Sequence, residues 1–424
     1  MNPALAAARA ACLFLCAAAA VAQTPSVLTQ ADAMARVLDT HPDLRIFRAR
    51  GDALVAARRD AELRPAPTLE IGLENALGTG EHRGLSGAEL SLGLAAVLER
   101  GGKLDARRTL AQSRIDALAV EREARRLDLL AETARRYLDA AAARRRLAIA
   151  TDEVAQRGHA VDAARRRQRA GAAPESSTLS AQAARARAEL DRAQAEQAVA
   201  SADRHLAALW GERAPRFELP AVDPTQLPQI EPVETLAALL DQTPELLAFA
   251  DQRRIAEARA QLARSEARAD VQWQLGLRRL QGSGDTALIG ALSLPLGRAA
   301  RAQPAIDIAR AELAQLEVER EARDLALYAT LIEAHGRYRA ARLRVDQLGR
   351  EVLPLLEQAR DASERAFRAG AAGYLDWSQA QAERTAALGQ RLEAAVEAQR
   401  TLIELQRLTG RPFLASDTQT GAQP

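Results

Sequence analysis

The chain has only two cysteines and, past its first 22 residues, no long apolar run, and each lack removes a class of structure. Cys12 and Cys16 both fall in the opening segment. That segment has one early cation, Arg9, stays small and apolar from Ala10 to Val21, and reaches Ala20-Val21-Ala22 before Gln23. This is the pattern of a cleaved secretory signal, residues 1–22, with an A-x-A site. The bulky Leu15 before Cys16 speaks against lipidation at that cysteine. A mature chain starting near Gln23 has no cysteine, which excludes disulfides, thiolate metal sites and a cysteine nucleophile. No later stretch approaches the roughly 20 apolar residues of a spanning helix. A membrane crossing would therefore have to use short β-strands.

Excess charge is also lacking: the formal net charge is +2 with 27% charged residues, so nothing favours a nucleic-acid partner. Arginine runs such as Arg165-Arg166-Arg167 read as solvated helix faces. Catalytic constellations are absent. The five histidines, His41, His82, His159, His205 and His335, are scattered. None forms an HExxH or an i, i+4 pair, and there is no phosphate loop or nucleophile elbow. The expectation is a protein that is not an enzyme, with no cofactor and no metal site.

What is present is an internal repeat. Thr40-His41-Pro42-Asp43-Leu44 returns as Gln242-Thr243-Pro244-Glu245-Leu246, and Arg169-Ala170-Gly171-Ala172-Ala173 returns as Arg368-Ala369-Gly370-Ala371-Ala372. The first copy spans 23–210 and the second 233–410. A linker over 211–232, broken by Pro215, Pro220, Pro224, Pro228 and Pro232, cannot be regular helix, and a tail follows over 411–424. Each copy reads helix, strand, strand, very long helix, turn, helix.

The strands show period-two alternation. Those predicted at about 67–77 and 88–96 place Leu69, Ile71, Leu73, Leu90, Leu92 and Leu94 on one face, with Glu70, Glu74, Glu89 and Ser91 opposite. Those at about 271–280 and 287–294 place Trp273 and Leu275 against Gln272 and Gln274. Apolar-out, polar-in strands of about ten residues match a transmembrane barrel. Four strands cannot close one, and open edges are not tolerated in lipid, so several protomers must contribute.

The long helices carry heptads. Leu327, Leu331, Ala334, Tyr338, Ala341, Val345, Leu348, Val352, Leu355, Ala359, Ala362 and Ala366 alternate steps of four and three, a coiled-coil seam with Pro354 expected to bend it. A helix from Lys103 to Ala170 would run roughly 100 Å. The return helix from Glu175 covers about half of that, so the segment from Asp43 to Leu63 is expected to stack end to end with it against the long helix.

In order and spacing, several strings resemble the TolC-like outer-membrane factors of tripartite efflux pumps, most closely the CzcC-like heavy-metal branch. They are Leu73-Glu74-Asn75, Gly87-Ala88-Glu89-Leu90-Ser91-Leu92, Leu98-Glu99-Arg100-Gly101-Gly102-Lys103, Ala207-Ala208-Leu209-Trp210-Gly211, Arg279 through Thr286, and Leu292-Ser293-Leu294-Pro295-Leu296. The resemblance implies a mainly α fold with a small β part. Three protomers would complete a 12-stranded outer-membrane barrel continued by an α-helical tunnel.

It also implies a passive exit duct, possible cargo being heavy-metal cations, with a periplasmic adaptor and an inner-membrane RND pump as partners. The turns at Arg169, Gly171, Arg368 and Gly370 would dock the adaptor. Tyr374-Leu375-Asp376 matches the family's pore-entrance motif, so Asp376, Gln379 and Ser177 are the constriction candidates. The last two depart from the acidic pattern. A periplasmic coiled-coil scaffold or adaptor is the alternative reading, and it would share the signal and heptads without needing two alternating strand pairs.

Overall fold

Alanine, leucine, arginine and glutamate dominate the runs between the glycine and proline breaks, and these become the long helices that make up most of the chain. The structure, a computed structural model, describes residues 26–221 and 223–413. The signal expected over 1–22 and the end of the tail lie outside the described residues.

The first half runs β1 (Ser26–Val27), α1 (Gln30–Thr40), α2 (Pro42–Ala61), β2 (Thr68–Glu74), β3 (Glu89–Leu98), α3 (Lys103–Arg169) and α4 (Glu175–Ala207). After β4 (Phe217–Glu218) the second half runs α5 (Val233–Ala237), α6 (Pro244–Glu266), β5 (Val271–Leu280), β6 (Thr286–Ser293), α7 (Arg298–Gln347), α8 (Leu353–Ala369) and α9 (Tyr374–Thr409). The expected fold class, mainly α with four strands in one small sheet, is what the chain adopts.

Helix α3 has 67 residues and carries two shorter helices along its length. α2 runs antiparallel to one end, where Arg125 pairs with Asp43 and Arg107 Nε donates to Ala61 O at 3.3 Å. α4 covers the other end, where Arg144 meets both Asp203 oxygens at 2.7 and 2.9 Å. Fully buried alanines, among them Ala131, Ala140 and Ala164 on α3 and Ala395 and Ala398 on α9, let the helices approach closely.

The halves also anchor their leading segments alike. The Tyr137 hydroxyl on α3 donates to Leu28 O at 3.1 Å, and that of Tyr338 on α7 to Pro228 O at 2.5 Å. Burial pushes the Tyr338 phenol up to about 12.

The heptad seam needs one correction. Leu327, Leu331, Ala334, Tyr338, Ala341, Val345 and Leu348 are buried as expected, but Val352, Leu355, Ala359 and Ala362 are exposed and Ala366 is half-buried. Buried instead are Leu353 and, two heptads later, Phe367. The cause is a π-helical turn over Leu348–Val352, which inserts one residue and rotates the seam. Pro354 follows immediately. It has no N–H to give and its ring would crowd the preceding turn, so a wider turn accommodates it in place of the simple bend expected there.

Candidate functional site

The two strand pairs, far apart in sequence, merge into one antiparallel sheet of order β2-β3-β5-β6. In this register Leu69 faces Leu94, Ile71 faces Leu92 and Leu73 faces Leu90. Leu92 faces Leu277, Leu94 faces Leu275, and Trp273 faces Leu292. Directly opposed residues share a face, so these side chains form one continuous apolar surface. Every one of them is exposed, with Ile71 at 70% and Leu292 at 74%. A patch this wide is not left to water.

The other face is polar across β2, β3 and β5 and internally bonded, with Ala287, Ile289 and Ala291 of β6 at its margin. Gln274 Nε2 donates to Glu70 at 2.5 Å, and Arg278 reaches Glu89 at 2.9 Å and Glu74 at 3.6 Å. Asn75 also donates to Glu89, at 3.0 Å. β2 and β6 leave their outer edges unpaired among the described residues.

Where the sheet meets the helices, a charged knot holds the two halves together. Gly101 is left-handed at φ +82°, and a Cβ there would fall 2.6 Å from the Arg268 side chain, so only glycine fits. Asp270 accepts from Lys103 Nζ at 2.6 Å and from the Arg100 N–H at 3.0 Å. Burial opposes ionisation of Asp270, but these hydrogen bonds outweigh it and hold the carboxyl below its usual range. Beside it Arg107 grips Glu99 through two bonds, at 2.5 and 2.9 Å, which lower the Glu99 pKa. Periodicity and motifs alone assign Lys103 and Asp270 no role. A signal was available: Lys103 is the only lysine in a chain of 58 basic residues. Its side chain is 5% exposed.

At the opposite end the two helical turns lie side by side. Gly171 and Gly370 take left-handed φ values of +69° and +86°, which explains glycine at both. Arg169 is exposed and Arg368 pairs with Glu364. Arg167 ties the turns together, donating to Phe367 O at 2.8 Å, Ala372 O at 3.3 Å and Ala172 O at 3.1 Å. Its guanidinium also lies 4.7 Å over the Phe367 ring. Phe367, Tyr374 and Trp377 pack with Val161 and Ala181 beneath it.

The constriction candidates are placed less tightly. Asp376 is exposed on the first turn of α9, where it accepts the Gly373 N–H at 3.0 Å and so caps the helix. Gln379 reaches along α9 to Glu383 at 3.1 Å, and Ser177 is half-buried on α4. No hydrogen bond joins these three among the described residues.

Residues 33–212 match the family model described as outer membrane efflux protein. Over 287 residues the chain is 29% identical to the cobalt-zinc-cadmium resistance protein CzcC of Cupriavidus metallidurans, covering 67% of this chain and 68% of that protein. The fold is that of solved channels. CusC superposes with a TM-score of 0.74 at 17% identity, covering 91% of this chain and 93% of CusC. The outer-membrane channel OprN gives 0.73 at 20% identity, covering 91% and 90%.

Proposed function

We propose that this chain, an outer membrane efflux protein by its match over residues 33–212 and by its fold, is one protomer of a trimeric exit duct. The observation that carries this reading is the sheet, with one exposed face that is apolar except for Arg279 and Thr286 at its loop end, one mostly polar face and two free edges. Three copies close twelve strands, which turns the apolar faces to lipid and the edges into pairs. The long helices continue the passage through the periplasm.

A periplasmic adaptor meets the turns at Arg169, Gly171, Arg368 and Gly370, and an inner-membrane RND pump drives the cargo. CzcC's name supports heavy-metal cations as that cargo. Selection belongs to the pump, since a duct needs only weak and transient contacts. A scaffold protein would leave the apolar face wet, and nothing in the fold favours that reading.

Spin labels at positions 272, 273 and 274 test the orientation in reconstituted trimers. The label at 273 is expected to be reached by oxygen in the bilayer, and those at 272 and 274 by aqueous relaxants. The reverse pattern sinks the barrel assignment.

Asp376, brought by threefold symmetry to the periplasmic mouth, is proposed to set its cation preference, because clustered carboxylates favour cations between them. Asp376→Asn keeps an oxygen to cap α9. It should therefore lower the cation-to-anion permeability ratio several-fold at low salt, where screening is least, without reducing trimer yield. An unchanged ratio removes Asp376 from the constriction.

A further inference from the structure

The two turns have opposite charge. Over 162–177 the first carries Arg165, Arg166, Arg167 and Arg169 against Asp162 and Glu175; over the corresponding 361–376 the second carries Arg365 and Arg368 against Asp361, Glu364 and Asp376. The decisive exchange is at Arg165, whose counterpart is Glu364. In the second turn that glutamate pairs with Arg368 and neutralises it. In the first, Arg165, Arg166 and Arg169 are exposed and form no ion pair among the described residues.

Residues 162, 165, 166 and 169 stand at i, i+3, i+4 and i+7, so the three free guanidiniums form one stripe on the flank of α3, with Asp162 and Gln168 beside them. The helix dipole favours a cation at a C-terminus. It does not explain three, because like charges at this spacing repel. That repulsion is relieved by a partner with carboxylates, for which arginine's planar fork is the matching donor.

We propose that the stripe Arg165, Arg166 and Arg169 receives an acidic helical-hairpin tip of the adaptor, so that the first turn docks electrostatically and the second does not. This rests on the adaptor-docking reading above.

The test uses full-length trimers in detergent and two labelled helical-hairpin peptides, identical except for glutamates or lysines flanking the turn. Binding is read by fluorescence anisotropy. At about 50 mM salt the acidic peptide should bind at least about tenfold tighter, and the gap should close near 500 mM as the screening length shrinks. The Arg165→Glu, Arg166→Glu, Arg169→Glu triple variant should invert the preference. Glu364→Arg, which builds the stripe into the second turn, should strengthen acidic-peptide binding.

Equal binding of both peptides, or a triple variant with unaltered preference, overturns the inference and leaves docking at the turns intact. If neither peptide binds at any salt, the docking reading falls with it. If the triple variant loses its trimers, the stripe faces a neighbouring copy and the inference is also overturned.

Discussion

Leu92→Arg is expected to remove the membrane-embedded trimer. Leu92 lies mid-strand on β3, an inner strand of the sheet, opposite Ile71 on one side and Leu277 on the other, and is 52% exposed in the single protomer. In the proposed barrel that exposed half meets acyl chains. An arginine on the lipid face near the midplane costs about 2–4 kcal/mol per copy, and symmetry places three copies in each trimer. The total is comparable with the whole stability of a typical domain, about 5–15 kcal/mol. The control is Gln274→Arg on the opposite face, where the new cation meets Glu70 and water. Outer-membrane fractions run on seminative gels should show the trimer band for Gln274→Arg and little or none for Leu92→Arg. Equal bands would mean that the apolar face does not contact lipid.

Asp270→Ala should be the most damaging single change at the junction of sheet and helices. It removes the partner of an ammonium that is 95% covered and also orphans the Arg100 N–H. Leaving one member of a buried ion pair uncompensated costs about 3–5 kcal/mol, whereas replacing both by apolar groups can be nearly neutral. Lys103→Met added to Asp270→Ala should therefore recover much of the loss, which thermal unfolding followed by circular dichroism would show.

The pH dependence has a definite sign. The folded pKa of Asp270 is depressed, so its contribution is fully present above the unfolded carboxylate value near 4 and is lost as pH falls through the lower folded value. The parent should lose stability between about pH 4 and more acid conditions, and Asp270→Ala should lack that component. A single variant as stable as the parent, or a double variant no better than the single, would remove the knot's structural role.

Local pattern was enough for several conclusions here. Alternation along Leu69 to Leu73 and Leu90 to Leu94 already assigned the two sheet faces, since a strand turns each successive side chain over whatever it pairs with. Heptads from Leu327 to Leu348 likewise implied the buried seam, and Gly171 and Gly370 marked the turns because few other residues take left-handed backbone there.

Tertiary contacts decided the rest. The seam's shift to Leu353 and Phe367 depends on a turn that opens beside Pro354 while Arg391 packs over Gly349 on the facing helix, and no period along one strand of sequence registers an inserted residue. Lys103 and Asp270 are 167 positions apart, and Arg167 reaches carbonyls 200 and 205 positions away. Such partners are chosen by the stacking of two repeats against each other, and the energy of an ion pair or a shared cap resides in that proximity, which residue order alone does not encode.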